Sequence, residues 1–489
     1  MTAVSRRASA EKAAGLFIAG AEVSPGRLDH IEVRDPASLD LVGRVPAGGP
    51  AEVTQAVEAA TRAFRSWSAL PAGRRAELLT AGAAAVAART EQLAPLLTAE
   101  QGKPLADSRA EITRFVKTLR YYAGLGANLG GRSVAKLDAG STGLVLKRPL
   151  GVVAAIIRWN FPVALLGKKL GPALVAGNTV IVKPDESTPL ATLRIAQIMH
   201  AAGLPDGVLN VVTGYGETAG AALAAHPGVA KVAFTGSTAN GSKVAAAAAG
   251  RFARVTTELD ASDPMIICED ADISHAVSAA SWARFFNCGQ SCLAVKRVYA
   301  HQSVYEEVVA RLAVKAARLV VGHGDAHGTQ IGPMHSRPGR DRIIAQLDAA
   351  VAGGAEVVTG GGVPEGETFD RGWFYRPTVV IKAGHASAVA SQDTFGPLLP
   401  VWPVADLDEA IARANASAFG IAASVWTGNQ AAASFAMNEL DTGYVWINSP
   451  TRVYDELPFG GVKMSGYGKE HGVEALDFYQ ETKSVVLHG

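Results

Sequence analysis

Cysteine is scarce in this chain: Cys268, Cys288 and Cys292 are the only three in 489 residues. An odd number of late-placed cysteines offers no disulfide framework, which excludes the stapled secreted scaffolds and points to a reducing, cytoplasmic setting. An excess of one charge is also missing, since 46 Lys and Arg meet 45 Asp and Glu for a net +1. Nucleic acid and anionic membrane are therefore not expected as partners, because both require an extended basic surface. Long apolar runs are absent too. The richest stretches, 150–157 and 245–249, fall well short of the ~18 residues that cross a bilayer. Near the N-terminus, Glu11, Lys12 and Glu22 follow Arg6 and Arg7 and interrupt any apolar leader core. No low-complexity linker or internal repeat divides the chain.

What the chain has in quantity is glycine, 52 residues, within a composition that is 48% hydrophobic and 19% charged. That is the make-up of a folded globular protein, and at roughly 150 residues per domain the length suggests about three domains. From Pro149 onward short apolar runs alternate with longer helical stretches, the pattern of βαβ units on a doubly wound parallel sheet. Strands are expected at 151–157, 178–183, 208–213, 229–235 and 252–259, with helices between them. Residues 51–122 read as helical, with breaks near Pro71, Pro95 and Pro104. A Gly-punctuated hairpin is expected at 130–150. A second α/β pattern fills 260–457, with strands near 265–268, 297–300 and 378–381. A Gly-rich segment at 458–468 then precedes a β-like tail at 483–487.

Local features carry the chemistry. Gly214-Tyr-Gly216-Glu-Thr-Ala-Gly220 follows a strand and opens a helix, but its spacing is one residue longer than the usual dinucleotide fingerprint. Gly236-Ser237-Thr238 follows another strand, and Ser237 or Thr238 can cap the next helix, whose free N–H groups attract phosphate. Either turn alone is equally an ordinary strand-to-helix connection. Cys292 closes Phe286-Asn287-Cys288-Gly289-Gln290-Ser291-Cys292, small and polar company that suits an accessible thiolate near backbone donors. Cys288 and Cys268 read as structural. Glu258 ends an apolar strand, where a carboxylate is either a surface terminus or a general base with a raised pKa. No metal site is expected.

Together these pieces resemble the aldehyde dehydrogenase superfamily, from about residue 15 to the C-terminus. The matches are Trp159-Asn160-Phe161-Pro162, Phe234-Thr235-Gly236-Ser237-Thr238, Asn287-x-Gly289-Gln290-x-Cys292 and Pro458-Phe459-Gly460-Gly461-x-Lys463-x-Ser465-Gly466, in the family's order. The resemblance implies a Rossmann-type cofactor domain (1–129 and 150–259) and an α/β catalytic domain (260–457). It also implies a small β oligomerisation element (130–149 and 470–489) in a homodimer or homotetramer. Cys292 matches the nucleophile that adds to a small-molecule aldehyde. Asn160 and the Cys292 N–H match the oxyanion hole, and Glu258 matches the base that activates water on the thioester. That glutamate favours the hydrolytic over the coenzyme A-acylating branch. Lys169 lies where the family has a lysine thought to relay protons, although a solvated lysine beside Lys168 reads equally well from the residues.

Cofactor contacts are implied for Trp159, Lys183, Glu186, Gly216, Phe234, Gly236, Ser237, Leu259, Asp393 and Phe395. Glu186, with Asp185 beside it, accepts from a free ribose 2′-OH and repels a 2′-phosphate, so NAD is expected over NADP. Three departures bear on this end. Asp260-Ala261 replaces a usual Gly-Gly, Asp393 replaces a glutamate one methylene longer, and Arg158 replaces a proline. They imply altered nicotinamide positioning, and leave open a homologue impaired in turnover. The succinate-semialdehyde enzymes carry an arginine where Phe286 stands here. Val163, Leu166, Phe286, Leu293 and Phe459 therefore imply an apolar or aromatic aldehyde, while Lys168 and Arg452 keep a carboxylated aldehyde as the alternative.

Overall fold

The computed structural model describes residues 14–489 except Pro25, Arg27, Ala127 and Asn128. The expectation drawn from Arg6, Arg7, Glu11 and Lys12 lies outside the described residues, as does the start of the segment 1–129. An eight-stranded sheet runs in the order Ala21–Val23, Leu16–Ile18, Leu209–Val211, Thr179–Lys183, Val152–Ile156, Lys231–Thr235, Arg254–Glu258, Gly466–Tyr467. The five central strands are parallel, and the chain enters at the middle one. Val152–Ile156 is buried along its whole length because helices cover both faces, which explains its unbroken apolar sequence. Val153 and Ala155 face one core while Val152, Ala154 and Ile156 face the other. Strand order reverses between Val152–Ile156 and Lys231–Thr235, the switch point where such sheets open a crevice at their carboxyl ends.

A seven-stranded sheet follows, ordered Glu356–Thr359, Thr378–Ile381, Leu398–Val404, Arg297–His301, Pro264–Ile267, Ala422–Trp426, Tyr444–Ile447, with its own core. The hairpin Arg132–Asp138/Ser141–Pro149 is joined by the tail strand Gln480–His488, registered antiparallel from Gln480 opposite Pro149 to His488 opposite Ser141. Leu137, Leu146, Val486 and Leu487 stand exposed on this small sheet. Among the described residues no helix is long and apolar enough to cross a membrane.

Two details depart from the pattern read in the sequence. Pro71 and Pro104 stand immediately before helices, but Pro95 lies inside the helix Thr90–Gln101 and does not end it. The extra residue of the Gly214–Gly220 motif is taken up as a π-turn, Gly216–Gly220, which runs into Ala221–Ala225. Glycine also sets one close approach that positions the site. Helix Pro162–Val175 lies against Leu105–Leu125 through Gly167 and Gly171, where a Cβ would meet the Phe115 and Tyr122 rings at 2.9 and 2.5 Å.

Candidate active site

Past helix Ile273–Phe285 the chain turns sharply, with Asn287 (φ 51°), Cys288 (φ 56°) and Gly289 (φ 71°) left-handed in succession. At Gly289 a side chain is excluded by contact as well, since a Cβ would sit 2.3 Å from the Gly396 carbonyl oxygen. The turn delivers Cys292, half-buried, to the wall of a cavity of about 520 Å³. Asn287 Nδ2 donates to the Asn160 carbonyl (2.9 Å) and Asn160 Nδ2 to the Gln290 carbonyl (3.1 Å), which stitches the asparagine loop to the cysteine loop. The Asn160 Oδ1 atom is buried and, among the described residues, has no hydrogen-bond partner. Beneath this loop, Glu111 accepts from the Val163 and Ala164 N–H groups (2.8 and 3.0 Å) and so caps helix Pro162–Val175. Lys103 pairs with Glu111 and donates to the Asn160 carbonyl (2.8 Å).

Four charges lie together beside Cys292. Glu258 stands at the carboxyl end of its strand, level with Thr235 on one side and Gly466 on the other. Its Oε2 is paired with Lys168 Nζ, which also meets Glu470 Oε2 at 2.6 Å. Lys169 Nζ donates to Glu470 Oε1 (2.5 Å) and Thr235 Oγ1 (2.8 Å). None of the four side chains is more than 8% exposed. Burial raises the Glu258 pKa and Glu470 adds to the rise, with Lys168 opposing. Burial alone would lower the Lys168 pKa, but Glu258 and Glu470 outweigh it and hold the ammonium above the usual lysine range. Glu470, held by both lysines against its own burial, is lowered to about 2. Burial pushes the Cys292 thiol up to about 11, and Lys168 is the strongest influence against that rise. The accessible thiolate expected of Cys292 is thus a largely protonated thiol in the resting site. The two simpler expectations, a surface terminus at Glu258 and a solvated Lys169, are excluded by burial: these side chains are 5% and 0% exposed.

At the switch point a cleft of about 780 Å³ opens, lined by Trp159, Lys183, Glu186, Gly216, Phe234, Gly236, Ser237 and Phe395 among others. Lys183 pairs with Glu186 at 2.9 Å. Ser237 caps the helix Thr238–Ala249, whose first turn faces the cleft, and Gly216 borders open space. A crevice at the switch point with a helix N-terminus on its wall and the Glu186 carboxylate beyond a neighbouring strand fits a dinucleotide. Trp159 is fixed by stacking on His335 (4.5 Å, 14°), whose Nε2 meets Ser187 Oγ (2.7 Å) and whose N–H donates to Gln290 (2.8 Å).

The departures form one connected cluster at the inner end of this cleft. Arg158 lies 4.1 Å over the Phe395 ring and 3.6 Å from Asp260 Oδ1. Asp260 Oδ2 accepts from the Thr238 N–H (2.8 Å). Asp393 is paired with the wholly buried Lys296 and accepts from the Ala261 N–H (3.2 Å). Asp393 therefore lies off the cleft wall, held by its neighbours. Leu259 also lies off it, packed against Gly241.

The cavity at Cys292 brings together Cys292, Lys168, Phe286, Leu293, Arg452 and Phe459 as expected. Val163 and Leu166 do not line it. They are buried in the core, and Phe161, Ala164, Leu165 and Lys168 line it instead. The reason is helical phase: spacings of three and four residues share a face, and Val163 and Leu166 point the other way. Lys168 borders the cavity with its ammonium engaged by the two carboxylates. Glu470, placed by the sequence boundary at 470 with the oligomerisation element, has its carboxylate in the buried network. Its only sequence cue is proximity to the Gly-rich segment. Glu111, Lys103, Lys296 and His335 carry no local motif and emerge only in three dimensions.

The model of the aldehyde dehydrogenase family matches residues 23–485. Phenylacetaldehyde dehydrogenase of Pseudomonas fluorescens is 39% identical over 481 residues, covering 96% of this chain and 95% of the relative. Mitochondrial benzaldehyde dehydrogenase of Antirrhinum majus is 38% identical over 456 residues, covering 92% and 84%. PnpE from Pseudomonas sp. WBC-3 has a similar structure, with a TM-score of 0.95 and 39% identity over 97% of this chain and 98% of its own. PnpE is also solved in complex with nicotinamide adenine dinucleotide.

Proposed function

This chain belongs to the aldehyde dehydrogenase family, as an NAD(P)-dependent oxidoreductase of aldehydes, and on that premise we propose that it converts an aromatic or apolar aldehyde to its acid through a covalent bond to Cys292. The observation that carries the substrate class is the aromatic wall of the cavity. Phe161 stacks on Phe286 (5.8 Å, 12°), Trp282 stacks on Phe286 (5.3 Å, 30°), and Phe459 completes the lining that meets Cys292. Aromatic side chains braced on one another in this way give the cavity a rigid apolar wall against which a ring or alkyl chain packs. The names of the two relatives, a phenylacetaldehyde and a benzaldehyde dehydrogenase, support the same class.

The Cys292 thiol gives its proton to the Glu258 carboxylate, which passes it on before the water step, and Sγ adds to the carbonyl carbon; the resulting alkoxide is held by the Cys292 N–H and the Asn160 amide, which has a second hydrogen beyond the one given to Gln290. A nicotinamide cofactor held in the cleft by its lining residues would supply the acceptor for the hydride lost from that carbon, and Cys292 would then carry the acyl group as a thioester. Glu258 takes a proton from water, the water oxygen attacks the thioester carbon, and the C–S bond breaks to release the acid. Lys169, bound to Glu470 and Thr235, carries charge and proton balance behind the base. Trp159, Lys183, Glu186, Gly216, Phe234, Gly236, Ser237 and Phe395 hold the cofactor, and Glu186 with Asp185 favours NAD. The small sheet of 132–149 and 480–488, with its exposed apolar residues, is the element through which copies associate as a homodimer or homotetramer. A cytoplasmic location completes the reading, supported by three unpaired cysteines.

A panel of benzaldehyde, hexanal and succinate semialdehyde with NAD⁺ and NADP⁺, scored by kcat/KM and by the acid formed, tests this function. Benzaldehyde with NAD⁺ is expected to lead. Preference for succinate semialdehyde would move the assignment to the carboxylated class, whose support is Arg452 on the cavity wall. Preference for NADP⁺ would overturn the cofactor assignment.

A further inference from the structure

The backbone that follows Glu258 is pinned at every step. The Leu259 N–H donates to the Ser465 carbonyl (3.0 Å), and the Asp260 carbonyl accepts from Ser465 Oγ (2.7 Å). The Asp260 carboxylate accepts from Thr238, and the Ala261 N–H donates to Asp393. No glycine follows Glu258 to let the glutamate swing. Its two oxygens are unequal. Oε2 is paired with Lys168, while Oε1 is buried and, among the described residues, has no hydrogen-bond partner. Lys168 is in turn fixed by Glu470 and borders the cavity that Cys292 lines. We propose that Lys168 is the positioning residue of the base: its pair with Oε2, itself braced by Glu470, sets where the Glu258 side chain is held for the water step. This rests on Glu258 being the base, as proposed above.

The charged and titratable groups around Glu258 come from three elements. They are Lys168 and Lys169 on helix Pro162–Val175, Lys469, Glu470 and Tyr479 on the C-terminal segment, and Cys292 on its loop. The two lysines of the helix favour the carboxylate, whereas burial and Glu470 favour the neutral acid. Removing Lys168 therefore makes Glu258 a weaker acid and frees Oε2 to rotate.

The test needs no cofactor. Cys292 is acetylated with p-nitrophenyl acetate, and decay of the acyl-enzyme is followed by intact mass from acid to neutral pH. In the wild type the decay falls on the acid side as Glu258 takes up a proton. Lys168→Met is expected to slow decay at neutral pH by about tenfold or more and to move the acid limb up by about 1–3 pH units. Lys168→Arg restores most of both. Glu470→Gln, which removes the like charge, moves the limb down. A folded Lys168→Met with the wild-type limb overturns the proposal. If that variant does not fold, Glu470→Gln decides, and a limb that stays or rises overturns it. Glu258→Gln separates the two levels: unchanged decay there refutes Glu258 as the base itself.

Discussion

Beside Cys292 the charges of Glu258, Lys168, Glu470 and Lys169 are buried and balanced two against two, whereas at the cofactor end Arg158 and Asp260 face each other at 3.6 Å with 15% and 20% of their side chains exposed. The first group has no water to fall back on, so losing one member leaves an uncompensated buried charge. The second pair keeps some contact with water, so losing one partner leaves the other less exposed to the full cost of an unpaired buried charge. The difference teaches where this protein needs rigidity. In the proposed reaction, bonds to carbon are made and broken at the buried end, where a displaced group costs rate. The cofactor must enter and leave at the other.

The largest effects are expected at the buried end. Cys292→Ser should abolish reduced-cofactor formation at 340 nm, and retained turnover would refute the covalent route. Asn160→Ala should lower kcat by about 10²–10³-fold while leaving cofactor binding alone. Next, Glu470→Leu or Lys169→Met should lower unfolding free energy by about 3–5 kcal/mol in urea, because each strands a buried partner. Asp260→Asn at the looser end should cost less than about 1 kcal/mol in the same assay. Similar losses at both ends would break the comparison. Smaller again, Asp260→Gly with Ala261→Gly should raise activity and tighten NAD⁺ by up to roughly fivefold, the worth of about 1 kcal/mol. An unchanged or lower rate would refute that account of the departures.

Lys231 sharpens the comparison from another side. It is a wholly buried ammonium bound to Thr256 Oγ1 (3.1 Å) under the Tyr479 ring (4.7 Å), and among the described residues it has no ion pair. Burial pulls its pKa down to about 7, opposite to the paired Lys168. The folded state then binds fewer protons than the unfolded chain between about 7 and the ordinary 10.5, so stability rises with pH across that window. The expected outcome is a Tm that climbs from pH 7 to 10 and a flatter profile in Lys231→Met. Equal slopes in the two proteins would contradict it.

Much of the fold was legible in the sequence because its signals are local. The apolar run at 152–156 can only be a strand covered on both sides, and the cysteine, glutamate and asparagine segments each carry their neighbours as a label. Val163 and Leu166 show where such legibility ends. The chain contains their periodicity, but which face of helix Pro162–Val175 turns to the cavity is set by its packing on Leu105–Leu125 through two glycines. Pro95 makes the same point for the backbone, since the helix Thr90–Gln101 persists through it.

The sequence by itself determined the α/β architecture, the positions of the central strands along the chain, the family and the candidate nucleophile, all of which rest on patterns local in the chain. Only the tertiary structure decided what each charge is for. Lys168 and Lys169 are adjacent letters, yet one faces Glu258 and Glu470 and the other Glu470 and Thr235. Asp260 and Asp393 look like isolated departures until Arg158, Thr238, Ala261 and Lys296 are found against them. The physical reason is that periodicity is written in neighbours a few residues apart, whereas a buried charge is defined by partners some 90 to 300 residues away.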